Sequence, residues 1–153
     1  MAGFKGKELY SIDEKGRVSF PAKMQKFVQG KTKRRFSVTR GWDRQNCLQV
    51  YPQAEWERIE ANLRATLNPY VEKDRVFLRE IAEHTEELEL DKTGRLCIPR
   101  HLLELAAIEK QVLLVGVFDH LELWNPERYG QVQQATIGNI SDLAAEVMGR
   151  SRA

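Results

Sequence analysis

Asp13-Glu14-Lys15-Gly16-Arg17-Val18-Ser19-Phe20-Pro21-Ala22 returns 78 residues later as Asp91-Lys92-Thr93-Gly94-Arg95-Leu96-Cys97-Ile98-Pro99-Arg100. Asp, Gly, Arg and Pro hold the same places in both copies, with apolar residues at Val18/Leu96 and Phe20/Ile98. A duplicated unit sets the architecture before any local reading. In a chain of 153 residues it predicts two related halves. Halves that small bury little core alone, so they are expected to pack on each other or on other subunits. What the copies share is expected to serve the fold, and what differs to serve function.

The turn chemistry comes first. Asp13 suits a first turn position, where its carboxylate accepts main-chain N–H bonds, and Gly16 supplies a left-handed conformation. Leu9 to Ile12 and Arg17 to Phe20 then read as two strands of a hairpin. Pro21 ends the ladder, having no N–H to donate. A short helix is expected from Ala22 to Val28, then strands at Phe36–Thr39 and Cys47–Tyr51 joined by a turn over residues 41–46. The second copy repeats the course. Leu88 and Leu90 precede the Asp91–Gly94 turn, Arg95 to Ile98 returns, and Pro99 opens a helix from Arg100 to Leu105. Strands follow at Val112–Val115 and Leu121–Trp124. The structural turn motif is therefore Asp13, Gly16, Arg17 and Pro21, matched by Asp91, Gly94, Arg95 and Pro99.

Helices join and follow the halves. Trp56, Ile59, Leu63 and Leu67 recur at helical spacing in Ala54–Thr66, and Asn68-Pro69 separates this helix from Tyr70–Glu83. Pro126–Ala135 and Ser141–Met148 repeat the theme after the second half.

Composition fits a globular protein, with 42% hydrophobic and 30% charged residues. No apolar run approaches the roughly 20 residues needed to span a membrane. The Met1–Lys5 start lacks the apolar core of a signal peptide, so a cytosolic location is expected. Cys47 and Cys97 are expected as buried small apolar groups. The net charge of +2 hides an asymmetry. Residues 1–40 hold 11 Lys and Arg against 3 Asp and Glu, a surplus of 8, and the rest hold 13 against 19, a deficit of 6. A concentrated basic segment suggests a polyanionic partner, nucleic acid first.

DNA binding needs cations for phosphates and donors that reach base edges, and arginine's planar fork suits both. Arg17 leads the candidates, supported by Lys15, Lys5 and Lys7. Lys5 and Lys7 share one face if the segment is extended. Lys33, Arg34 and Arg35 form a second patch. Arg17 has an alternative role, because Asp13 and Arg17 bracket the turn and can pin it as an ion pair. That pair recurs as Asp91/Arg95, whereas the basic surroundings do not. Lys15 becomes Thr93, and Glu86, Glu87 and Glu89 precede the second copy. The first half alone is expected to have been adapted to DNA. Nothing indicates catalysis, a metal or a cofactor. His84, His101 and His120 lack metal-ligand spacing with the cysteines, no Gly-rich phosphate loop appears, and the glutamates flank a structural turn. Trp42, Trp56 and Trp124 are expected as core or subunit-interface anchors.

The doubled Asp-x-x-Gly-Arg phrase with its apolar-x-apolar-Pro tail resembles the MraZ family of bacterial regulators. Ser11–Arg17, Tyr51-Pro52 before Glu55-Trp56, and Gly116–Asp119 before Glu122–Trp124 support the resemblance, which spans Gly6 to about Met148. It implies an α+β fold of two tandem AbrB-like swapped-hairpin β-barrel repeats. These would occupy residues 1–53 and 86–126, with a linking helical pair at 54–85 and C-terminal helices and tail at 127–153. It implies that the first hairpin region is presented to double-stranded DNA. It further implies a homo-oligomeric ring that binds tandem direct repeats upstream of its own division and cell-wall operon, as a nucleoid-associated repressor. The competing expectation is a protein-interaction or ring-scaffold module on the same barrel that does not bind DNA.

Overall fold

The computed structural model describes residues 3–22, 34–42 and 46–150. The helix expected beyond Ala22 and the candidate Lys33 lie outside them. Among the described residues are β1 (Lys7–Ser11), β2 (Arg17–Ser19), β3 (Arg35–Thr39) and β4 (Leu48–Pro52), then α1 (Gln53–Thr66) and α2 (Glu72–Glu83). The second half supplies β5 (Thr85–Glu89), β6 (Arg95–Cys97), α3 (Arg100–Leu105), β7 (Gln111–Val117) and β8 (His120–Trp124), followed by α4 (Pro126–Ile137) and α5 (Ile140–Met148). These elements make a mixed α+β fold, and they stand close to where turn chemistry and periodicity place them.

The strand pairing departs from the expected hairpin at each repeated phrase. β1 lies antiparallel to β7 and β2 to β6, while β5 pairs with β3. Each repeat thus lends its first two strands to the other repeat. The expected β3–β4 and β7–β8 hairpins do form. One six-stranded sheet results, in the order β1-β7-β8-β4-β3-β5, beside the two-stranded β2–β6 ribbon. Exchanging the repeats reverses that order onto itself, so the molecule has an internal two-fold relation. Main-chain bonds obey it too. The Ile98 N–H donates to the Gly16 carbonyl at 2.8 Å and the Phe20 N–H to the Gly94 carbonyl at 2.9 Å. Likewise, the Ile12 N–H reaches the Lys110 carbonyl at 2.9 Å and the Leu90 N–H the Arg34 carbonyl at 2.8 Å.

A single core fills the space between ribbon and sheet. Val18, Phe20, Leu96 and Ile98 from the ribbon side meet Phe36, Val50, Leu114 and Leu121. Phe20 packs on Phe36 with ring centroids 4.7 Å apart. The alternation of β2 and β6 turns Val18 and Leu96 inward and leaves Ser19 and Cys97 exposed. Cys47 is buried as expected, but Cys97 faces solvent, because its strand position is out of phase with the core. Trp56 and Trp124 are buried, whereas Trp42 is exposed and packs edge-on to Phe77. Among the described residues no helix is long and apolar enough to cross a membrane.

Candidate nucleic-acid interface

The repeated turn is built alike in both halves. Asp13 Oδ1 accepts the main-chain N–H of Lys15 at 3.0 Å and of Arg17 at 2.9 Å, and the Gly16 N–H returns to the Asp13 carbonyl at 3.0 Å. Asp91 does the same for Thr93 and Arg95, each at 2.9 Å. Arg17 Nε reaches Asp13 Oδ2 at 2.6 Å, and Arg95 Nε reaches Asp91 Oδ2 at 3.0 Å. The turn-pinning contact is therefore present in both copies.

These bonds also set the carboxylate chemistry. The Arg17 main-chain N–H leads in holding the Asp13 carboxyl below its ordinary range, with Arg17's side chain adding to it. At Asp91 the Arg95 main-chain N–H leads, joined by Thr93, and the pKa falls to about 2. A depressed carboxyl contributes stability that is complete above its unfolded value of 3.8 and disappears as pH falls through the folded value. Acid titration followed by tryptophan fluorescence should therefore show loss of stability from about pH 4 down to about pH 2, and Asp91→Asn should flatten that segment. An unchanged acid limb in the variant would remove Asp91 from the titration.

The ladder decides which side chains share a surface. Arg17 stands opposite Cys97 and Ser19 opposite Arg95. With Val18 and Leu96 inward, these four side chains form the outward face of the ribbon, two from each repeat. Exposed Lys15 closes one end, and the Cys97 thiol donates to its carbonyl at 3.2 Å. Thr93 stands at the other end beside exposed Lys92, where the first turn has Glu14, so the two ends differ in the placement of charge.

The other candidates are dispersed. Lys5 and Lys7 are exposed, but Gly6 between them has φ +92°, so the extended segment that would align them is interrupted. Lys7 sits at the opposite end of β1 from the turn, with its Nζ 5.6 Å from the Tyr129 ring centroid. Arg34 is a clasp between the repeats, its guanidinium donating to the Leu90 carbonyl at 3.1 Å and to the Asp91 carbonyl. Arg35 pairs with Glu87 at 3.5 Å, and Glu87 also accepts from Gln53 at 3.1 Å. Arg34 and Arg35 of the second expected patch are thus tied into contacts between the halves.

Two cations were invisible to local reading. Arg100 and Lys110 line the open groove beside the first turn, together with Lys15, Glu104 and Glu109. They lie far from Lys15 in sequence, and only the exchange of strands brings them near it. His84 and His120 serve locally. His84 Nδ1 lies 3.0 Å from the Glu80 carbonyl, while His120 Nδ1 lies 2.6 Å from Asp119 and its ring stacks on Tyr51. Among the described residues no cluster of three or more His, Cys, Asp or Glu is arranged to hold a metal ion.

An outward arginine-bearing ribbon between two strand-exchanged repeats defines a duplicated α+β protein, and comparison with known proteins narrows the class. Residues 4–79 and 81–150 both match the family described as "MraZ protein, putative antitoxin-like". The protein named Transcriptional regulator MraZ from Natranaerobius thermophilus is 36% identical over 146 residues, covering 95% of this chain and 96% of that one. Proteins of the same name from Syntrophomonas wolfei and Heliobacterium modesticaldum are 34% and 35% identical, each match covering 95% of this chain and 96% of the relative. The chain belongs to the MraZ family.

Proposed function

We propose that this protein is a sequence-specific DNA-binding transcription regulator that reads double-stranded DNA with the outward face of the β2–β6 ribbon. The observation that carries this reading is the ladder register, which sets Arg17, Ser19, Arg95 and Cys97 on one face with Lys15 at its edge. A major groove about 12 Å wide admits a two-stranded ribbon. Arg17 serves base edges or phosphate, and Lys15 serves phosphate. Lys5 and Lys7 contribute more distant charge. The names of the relatives support transcriptional regulation as the role. The exchanged strands support reading the body as an AbrB-like swapped-hairpin barrel assembled within one chain.

Because the two ends of the ribbon differ, with Glu14-Lys15 at one and Lys92-Thr93 at the other, a single ribbon reads an asymmetric site. Copies assembled in one orientation would then read tandem direct repeats in preference to a palindrome. The reading is completed by a cytoplasmic, nucleoid-associated homo-oligomeric ring that represses its own division and cell-wall operon.

The test is a gel-shift series with the DNA upstream of this gene. Specific binding should weaken with salt, with a log–log slope of about −0.9 per neutralised phosphate. Failure to prefer that DNA over a scrambled duplex rejects the reading. Cys97 adds a second measurement, because Cys47 is buried and Cys97 is not. Saturating operator should slow alkylation of Cys97 by N-ethylmaleimide at least tenfold. Alkylation at the free rate in the bound complex would remove the ribbon face from the interface.

A further inference from the structure

Among the described residues, one buried side-chain nitrogen or oxygen lacks a hydrogen-bond partner: Nε2 of His120. Only 13% of that side chain is exposed. Its place follows from the turn before it. β7 and β8 pair as far as Val117 and His120, so Phe118 and Asp119 alone make the turn. A two-residue turn favours glycine where φ is positive, yet Phe118 takes φ +63° there. Main-chain bonds hold this outlier in place. The Phe118 N–H donates to the Phe4 carbonyl at 2.8 Å, and the Phe4 N–H returns to the Phe118 carbonyl at 2.7 Å. Phe4 is buried and meets Phe20 edge-on, with ring centroids 6.4 Å apart. The end of the β7–β8 hairpin thus clasps the start of the chain.

Two carboxylates bracket the His120 ring. Nδ1 lies 2.6 Å from Asp119 Oδ1. A carboxylate only accepts, so the proton of a neutral ring belongs on Nδ1. Nε2 faces Glu122 Oε2 at 3.9 Å. The Trp124 Nε1–H donates to the other Glu122 oxygen, Oε1, at 2.8 Å, which fixes that carboxylate. Tyr51 of β4 covers the ring with centroids 4.7 Å apart. A neutral ring therefore aims a bare lone pair at Glu122, acceptor against acceptor. A second proton, on Nε2, turns that contact into attraction.

The other charged groups nearby leave this balance in place. Glu122 has uncharged neighbours across the ladder, Gln49 on β4 and Val115 on β7, and Lys7 of β1 stands one strand beyond Val115. Arg58 of α1 acts on Asp119, but its guanidinium is paired with Glu55. Burial disfavours the charged ring, yet Glu122 and Asp119 outweigh it and hold the His120 pKa above its ordinary 6.5. Burial likewise pushes the Glu122 carboxyl up, and His120 and Trp124 overcome it to hold that carboxyl below its ordinary range.

We propose that His120 is a proton-operated latch: with both ring nitrogens protonated it fastens the β7–β8 turn between Asp119 and Glu122 and so holds Phe4, and on losing one proton it loosens both. The sign follows from linkage. A histidine whose pKa is raised by folding contributes stability that is complete below 6.5 and is lost as pH rises through the folded value. The latch is closed in mild acid and opens on the alkaline side. It is independent of DNA binding and of assembly.

Deuterium exchange read by mass spectrometry on the full chain tests it. Exchange of the His120 ring C2 proton, followed from about pH 5 to about pH 10, gives the midpoint of that histidine alone. The midpoint should lie above 6.5. Glu122→Gln, which keeps an acceptor for Trp124, should move it down. Main-chain uptake in the peptides carrying Phe4 and Phe118, corrected for the intrinsic pH dependence of exchange, should rise several-fold through the same midpoint. His120→Gln should abolish that step, and if it fails to fold, the wild type and Glu122→Gln decide without it. A midpoint at or below 6.5, a midpoint that Glu122→Gln leaves in place, or uptake with no step at the midpoint overturns the latch.

Discussion

Arg17→Ala loses operator affinity by one to two orders of magnitude while the protein stays folded. A good bidentate arginine–base contact is worth about 1–3 kcal/mol of discrimination, or about 5- to 150-fold. The structural cost is smaller, because the turn does not depend on the side chain. Asp13 Oδ1 still accepts the N–H groups of residues 15 and 17, and the Gly16 N–H still reaches the Asp13 carbonyl. Only the Nε–Oδ2 contact disappears, and both of its side chains are about one-third exposed. Exposed ion pairs contribute little. Asp13→Asn separates the two roles of Arg17, since an amide oxygen can still accept the two main-chain N–H groups while the charged partner of Arg17 is lost and the cation kept. Calorimetry with operator DNA should show Asp13→Asn binding within a few-fold of wild type and Arg17→Ala far weaker. Equal loss in both, with lowered melting temperatures, would mean that Arg17 acts through the turn.

Gly16→Val should destabilise the fold by about 2–4 kcal/mol. Gly16 has φ +84°, a region that costs a β-branched residue about 1–3 kcal/mol. A Cβ there would also meet the Ile98 carbonyl oxygen at 2.6 Å, too close for the backbone to accommodate in place. The shift threatens the 2.8 Å bond from the Ile98 N–H to the Gly16 carbonyl, worth about 1 kcal/mol, which joins the repeats at the ribbon. Urea unfolding measures the sum. Gly130→Ala is the control. It lies within α4 with nothing within 4 Å of the added methyl, and should stabilise by about 0.5–1 kcal/mol. A Gly16 variant as stable as wild type would show that the ribbon tolerates a shifted turn.

Much of this protein was legible in its residues. Asp13 and Asp91, each three residues before a glycine with positive φ, mark the two turns that the structure contains. Alternation marked the strands, and Pro126 marked the start of α4. The Asp13/Arg17 pin followed from its recurrence at Asp91/Arg95. What misled was locality. A turn of the right chemistry between Leu9–Ile12 and Arg17–Phe20 reads as a hairpin, yet β1 pairs with β7. Lys5 and Lys7 read as one face, yet Gly6 breaks the extension. Arg34 reads as a free cation, yet its carbonyl partners lie at residues 90 and 91.

The sequence by itself determined the duplication, the turns, the positions of most strands and the concentration of charge in the first 40 residues. These are local properties, encoded in side-chain chemistry and spacing. Only the tertiary structure decided which strand lies beside which, and hence that Cys97 stands opposite Arg17 and that Arg100 and Lys110 approach Lys15. The physical reason is that alternation specifies which face of a strand is buried, while the bonds that choose its neighbour run between main-chain groups common to every residue.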